Sequence, residues 1–249
     1  MMNITPTVKQ LLVINIIFFI GTSIVGEAAY QILSLFYFEN PAFRAWQPLT
    51  HMFMHGNLMH IFFNMFALFS FGSALEQIWG GKKFLFFYIS CGLGAALLHS
   101  MVNYYHFYDA LDTLATNGFE KAEVLNTLAE GKYNTEWQEI LPGNGFSNFM
   151  GSYLTPAVGA SGAIYGLLAA FAFMFPNAEL MMMFIPIPIK AKYFVPGIIL
   201  VDLYLGVSGK SIFGGGSGIA HFAHIGGALV GFLMMWYWKK NQFNRNRWN

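Results

Sequence analysis

Apolar positions in this chain come in long, nearly unbroken runs, and charged or Pro/Gly-rich stretches divide them into six segments near 10–29, 57–79, 84–104, 157–175, 193–208 and 218–238. A helix needs roughly 20 mostly apolar residues to cross a bilayer. The pattern therefore predicts an all-α, polytopic membrane protein: a bundle of six transmembrane helices, with residues 1–249 as one membrane domain. The first segment shares features with a signal peptide, since Lys9 precedes an apolar run and Gly26-Glu27-Ala28-Ala29 contains small residues. A retained helix is the reading adopted, because six spans give a consistent distribution of charge.

With the amino terminus inside, Lys9, Lys82, Lys83, Lys190, Lys192, Lys239, Lys240, Arg245 and Arg247 fall on the cytoplasmic side, against Arg44, Lys121, Lys132 and Lys210 outside. That is the positive-inside bias, and it sets both termini in the cytoplasm. Residues 105–156, between spans three and four, carry Asp109, Asp112, Glu120, Glu123, Glu130, Glu136 and Glu139 and read as an external insertion. Two short helices are expected there, one over Ala122–Glu130 stopped by Gly131 and one opened by the capping-box spacing of Thr135-Glu136-Trp137-Gln138. Residues 239–249 form a short basic tail.

Composition narrows the function classes. Hydrophobic residues make up 56% of the chain and charged residues 10%, which excludes an ordinary soluble domain. A net charge of +1, with no basic run longer than Lys82-Lys83 or Lys239-Lys240, leaves no electrostatic footprint for nucleic acid. Cys91 is the single cysteine, so neither a disulfide framework nor thiolate metal chemistry is expected.

Spans two, four and six run from outside to inside in this topology, which gathers their amino-terminal turns at the outer face. At 1.5 Å per residue, His60 and Asn64 on span two, Ser161 and Tyr165 on span four, and His221 and His224 on span six fall roughly 4–12 Å below the outer boundary. Polar residues inside a membrane are costly and face interior cavities, and three helix amino termini at that depth favour a developing anion. Two roles fit each residue. Ser161, in Gly159-Ala160-Ser161-Gly162, is a nucleophile or a packing serine beside the G-x-x-x-G pair Gly162 and Gly166. His224 precedes a second such pair, Gly227 and Gly231; it is the general base for Ser161 or a histidine bonded to a backbone carbonyl. His60 and Asn64 share a helix face and are oxyanion donors alongside the Ser161 N–H, or polar links between helices. Tyr165, one turn below Ser161, stacks on the imidazole or serves as ordinary packing.

These residues resemble the rhomboid family of intramembrane serine proteases. The likeness rests on His51-Met-Phe-Met-His55-Gly-Asn-Leu-Met-His60-Ile-Phe-Phe-Asn64, on Gly-Ala-Ser161-Gly-Ala-Ile-Tyr165, and on Ala-His-Phe-Ala-His224-Ile-Gly-Gly-Ala-Leu-Val-Gly231. It covers roughly 8–104 and 156–238. The resemblance implies a serine endopeptidase that cuts within or near transmembrane segments of membrane-protein substrates through an acyl-enzyme intermediate. It assigns Ser161 as nucleophile, His224 as base, His60 and Asn64 as oxyanion donors and Tyr165 as the residue against the imidazole. It decides between His221 and His224, because the family's histidine stands three residues before the first glycine of G-x-x-x-G. It also implies a structural role for Glu76 and a gate formed by span five with the outer loop near 209–217. No metal and no cofactor are expected; the partners expected are transmembrane substrates and the lipid bilayer.

The chain departs from the family's pattern at Trp46-Gln47, where many members have Trp-Arg, and in the length of the insertion. Without an aspartate in view, the expected machinery is a Ser–His dyad. His51, His55 and His221 are expected as polar residues near the rim. Two other readings stand beside proteolysis: a rhomboid-like protein that binds membrane helices without cutting them, and a metal-dependent membrane enzyme built on His51, His55, His60, His221 and His224. No H-E-x-x-H motif supports the latter.

Overall fold

Twelve α-helices and one β-hairpin make up the described part of the computed structural model, which covers residues 3–182, 185–209 and 220–245. The order is α1 (Pro6–Val25), α2 (Glu27–Leu33), α3 (Gln47–Thr50), a 3-10 turn at His51–Phe53, α4 (Leu58–Ala67), a π-helical turn at Leu68–Gly72, and α5 (Ser73–Trp79). Then come α6 (Gly81–Thr116), α7 (Lys121–Ala129), α8 (Trp137–Ile140), α9 (Gly145–Leu154), α10 (Ser161–Met174), β1 (Glu179–Met182), β2 (Ile185–Lys190), α11 (Ala191–Ser208) and α12 (Ala220–Arg245).

Four of these stretches are long and apolar enough to cross a membrane: 6–25, 58–79, 81–116 and 191–208. The predicted fourth span is shorter than expected. Residues 157–160 are not helical, and α10 begins only at Ser161 and runs 14 residues. The helix at the predicted sixth position, α12, is 26 residues long, but histidines, glycines and lysines dilute its apolar character. The two helices that depart from the pattern of a plain span are the two that carry Ser161 and His224.

The molecule is apolar outside and polar at selected points inside. Ile17, Ile20 and Ile24 on α1, Phe62 and Phe66 on α4, Leu200 and Tyr204 on α11, and Phe232 and Trp236 on α12 are exposed, whereas Asn15, Asn64, Glu76, His99, Asn103 and Asp202 are buried. Lipid-facing surfaces have that arrangement, because polar groups need partners that hydrocarbon cannot supply. At the predicted inner end, Trp79 meets Trp238 edge-on at 5.5 Å, and the Lys83 ammonium lies 4.0 Å above the Trp238 ring. Aromatic and cationic side chains of this kind anchor helices at a membrane interface.

Glu76 has a definite task. Its carboxylate accepts hydrogen bonds from the Thr5 hydroxyl and from the backbone N–H groups of Thr7 and Val8, both at 2.9 Å. Thr5 stands at the start of α1 and caps nothing with its own side chain. Glu76 therefore supplies from α5 the acceptor that the first turn of α1 lacks, and its negative charge sits at the positive end of that helix.

Two regions differ from expectation. The insertion holds three short helices, α7, α8 and α9, where two were expected, and α6 continues to Thr116. These pieces enclose their own apolar core, in which Phe107, Leu111 and Leu114 of α6 pack with Val124, Leu128, Trp137 and Phe149. At the start of α8 the side chain that turns the chain is Asn134, whose Oδ1 accepts from the Glu136 N–H at 3.0 Å, with Thr135 making no such bond. The second difference is the antiparallel hairpin of β1 and β2, an element absent from an all-α reading. β2 alternates Ile and Pro, and a strand in which every second residue lacks an N–H can pair along one side only.

Candidate active site

Three helices meet along glycines. A Cβ placed on Gly227 of α12 would fall 1.8 Å from the carbonyl oxygen of Gly162 on α10, and one on Gly231 would fall 2.7 Å from that of Gly166. Gly162 and Gly166 in turn face Ala95 and Cys91 of α6, where added Cβ atoms would lie 2.3 and 2.4 Å away. Along both G-x-x-x-G pairs the backbones of α10 and α12 meet with no side chain between.

That contact delivers Ser161 and His224 to each other. The serine Oγ lies 2.9 Å from Nε2 of the imidazole. Ser161 is the first residue of α10, so its own N–H and those of the next residues have no acceptor within the helix, and the positive end of the helix dipole opens at the hydroxyl. Tyr165, one turn on, stacks flat on His224 with ring centroids 4.3 Å apart and planes 10° apart. The structure thus brings Ser161, His224 and Tyr165 together at one point.

His60 is oriented from both ends of its residue. The Asn57 side chain caps α4 by accepting from the His60 N–H at 2.8 Å, and the Gly56 N–H donates to His60 Nδ1 at 3.4 Å. An Nδ1 that accepts leaves the proton on Nε2, which makes that nitrogen a donor. It faces Gly159, where an added Cβ would meet His60 Cε1 and Nε2 at 2.9 Å and the Ser161 Oγ at 3.4 Å. Gly159 has φ of +130°, a backbone state other residues rarely adopt, and its N–H donates to the His51 carbonyl at 2.9 Å. The small space between the Ser161 hydroxyl and the His60 ring therefore depends on glycine. Asn64, one turn below His60, is buried, and among the described residues its Nδ2 finds no hydrogen-bond partner.

Around the site, the rim expectation for the other histidines is corrected. His51 and His55 are buried, at 5% and 0% exposure, because the turn at 51–53 folds them under the loop. His51 Nδ1 lies 3.0 Å from the Gln47 carbonyl, and burial lowers its imidazole to about 4; burial, with His60 nearby, lowers His55 to about 4 as well. Gln47 is fully buried too. Its Nε2 donates to the carbonyls of Ala42, Gln31 and Ile32, and its Oε1 accepts from the Phe36 N–H, so the glutamine ties the first loop together where an arginine was the usual residue. The loop expected to gate the site lies almost wholly outside the described residues, since 210–219 are not among them.

One residue escaped the sequence reading. Asp202, on α11 and 4% exposed, lies 3.3 Å from His224 Nδ1 and 2.5 Å from His221 Nδ1 through the same oxygen, Oδ1. His221 is accordingly a partner of the aspartate and not a rival for the serine. The ligand atoms of Asp202, His221 and His224 lie within 4.8 Å of one another, a spacing that a metal ion could also use. Asp202 was detectable: counted back from Ser208, the outward end of this span in the predicted topology, it falls about 9 Å deep, at the depth predicted for the serine and histidines.

A serine hydroxyl 2.9 Å from a half-buried imidazole, in a shell of apolar helices, is the arrangement that this multi-pass membrane protein presents at its centre. A model of the rhomboid domain matches residues 42–111 and 138–241, and the chain belongs to the rhomboid family. The break in the match, 112–137, falls inside the insertion. Among similar proteins are Rhomboid protease AarA of Providencia stuartii, 29% identical over 199 residues, and Rhomboid protein 1, mitochondrial, of Saccharomyces cerevisiae, 26% identical over 188. Presenilin-associated rhomboid-like protein, mitochondrial, of Homo sapiens is 27% identical over 190. Each alignment covers 76% of this chain but only 54%, 40% and 36% of those proteins respectively.

Proposed function

We propose that this chain is an intramembrane serine endopeptidase, a single domain of six membrane spans whose site opens to the outer face while both termini lie in the cytoplasm. The carrying observation is the 2.9 Å contact between Ser161 Oγ and His224 Nε2. In the first half-reaction Oγ bonds to the scissile carbonyl carbon of a transmembrane substrate as its proton passes to Nε2. His60 Nε2–H, Asn64 Nδ2–H and the Ser161 N–H stabilise the anionic oxygen. The C–N bond then breaks, and the leaving amine takes the proton from His224. Water repeats the sequence on the acyl-enzyme. Because a helical backbone hides its carbonyl in a hydrogen bond, substrates have to unwind locally, which favours segments rich in helix-destabilising residues.

Labelling by a serine-directed fluorophosphonate or isocoumarin tests this reading without a known substrate. Wild-type protein in detergent should be labelled, and Ser161→Ala should be neither labelled nor able to cut a single-span reporter while keeping its melting temperature. Wild-type labelling or cleavage by Ser161→Ala would overturn the assignment. A folded wild-type protein that is never labelled would favour a helix-binding role without cleavage.

A further inference from the structure

We infer that Asp202 is a positioning residue for the base, converting the serine–histidine pair into a Ser161–His224–Asp202 triad that His221 holds in place. The inference rests on the proteolytic reading above and adds to it a residue on a fourth helix.

The argument begins with burial. A carboxylate at 4% exposure among apolar helices is tolerated only when it is paired and hydrogen-bonded. Asp202 has such partners in His221 and His224, which stand three residues apart on one face of α12 and present Nδ1 to the same oxygen. The second oxygen, Oδ2, is buried without a bond in hydrogen-bonding geometry, although the Tyr165 hydroxyl lies near the carboxylate. An ionised carboxylate only accepts, so each Nδ1 has to carry the hydrogen.

For His224 this decides the tautomer. With the proton on Nδ1, the lone pair is on Nε2, the nitrogen that faces the serine hydroxyl; the other tautomer would present an N–H to Oγ and could not take its proton. During attack the serine proton moves to Nε2, the imidazole becomes a cation, and Asp202 stabilises it without accepting the proton itself. The closer contact, 2.5 Å to His221, fixes the carboxylate so that the longer one, 3.3 Å, can adjust as charge develops. The ring is then held on three sides: Ser161 at one nitrogen, Asp202 at the other, and Tyr165 across one face. Both Nδ1 atoms share a single oxygen, which suits two hydrogen bonds better than a metal ion binding all three side chains.

Asp202→Asn should lower kcat by at least about 10²-fold, and by up to the roughly 10⁴-fold that losing the aspartate behind a triad histidine can cost, while KM changes less than about 3-fold because substrate contacts are untouched. Asp202→Glu should restore part of the rate, and His221→Ala should lose less than Asp202→Asn. In ¹⁵N-histidine spectra of the wild-type protein in micelles, His224 should be the Nδ1–H tautomer, shifting toward Nε2–H in Asp202→Asn. Wild-type kcat in folded Asp202→Asn would overturn the inference, and so would an Nε2–H tautomer in wild type, a measurement that holds even if the variant does not fold. Activity abolished by chelation and restored by zinc would overturn it in favour of a metal held by the same three residues. If Ser161→Ala is inactive while Asp202→Asn is unimpaired, the triad fails and the proteolytic reading stands; an active Ser161→Ala defeats the reading itself.

Discussion

Gly227→Ala adds one methyl group at the tightest of the described glycine contacts. The new carbon would fall 1.8 Å from the Gly162 carbonyl oxygen. A carbon and an oxygen without a hydrogen bond need at least about 3.2 Å, so α10 and α12 have to part there by about 1.4 Å, since close-packed backbones offer little other relief. Gly162 adjoins Ser161, and Gly227 lies one turn from His224, so much of that displacement reaches the 2.9 Å contact between Ser161 Oγ and His224 Nε2. A misplacement of about 1 Å between reacting groups can cost on the order of 10² in rate. The expected result is a fall of about that size in kcat on a single-span reporter, with a parallel fall in the rate of fluorophosphonate labelling. Overpacking should cost about 1–3 kcal/mol, visible as a lower melting temperature but not as loss of fold. Gly197→Ala is the control, because no atom lies within 4 Å of its added Cβ. Wild-type kcat and labelling in Gly227→Ala would refute the claim that the glycine seam sets the catalytic distance.

Two further outcomes are expected. Glu76→Ala removes the acceptor for three donors at the start of α1, and unsatisfied buried groups cost about 1–3 kcal/mol; thermal unfolding should move down while labelling of Ser161 per folded molecule stays unchanged, and an unaltered melting temperature would dismiss the capping role. Gly159→Ala sets a methyl 2.9 Å from His60 in a backbone state unfavourable to alanine; kcat should fall by about 10²-fold with Asn64 and His224 intact, and unchanged turnover would show that the oxyanion does not occupy that space.

The glycine spacing carried most of what the sequence revealed of the site. Two G-x-x-x-G pairs in segments of the same direction implied a backbone contact, and the contact brings Ser161 and His224 together. Asp202 was missed for a geometric reason. The other site residues lie near the amino-terminal ends of their segments, whereas Asp202 lies near the carboxyl end of α11, so counting from segment starts does not bring it to their level. The predicted span starts four residues before α10 because Ala157 to Ala160, Ala-Val-Gly-Ala, holds no polar residue, and periodicity does not separate a short non-helical apolar stretch from a helix. The loop bonds of Gln47 involve backbone carbonyls distant along the chain, and nothing in a local pattern announces those. The hairpin was hidden for a related reason, as the alternation of Ile and Pro in β2 lies in a connection too short to attract attention by hydrophobicity.

The bond from Glu76 to the first turn of α1 joins residues about 70 positions apart. A ribosome releases α1 long before it releases its cap. In the interval the opening amides of the first helix have only water or lipid headgroups as partners, so that helix starts its life in the membrane provisionally anchored. Completion of α5 gives it a fixed end. The smallest portion of the chain in which α1 is properly terminated is thus the pair formed by the first two membrane segments, and that pair, rather than either helix alone, is the unit to which the later helices and Ser161 are added.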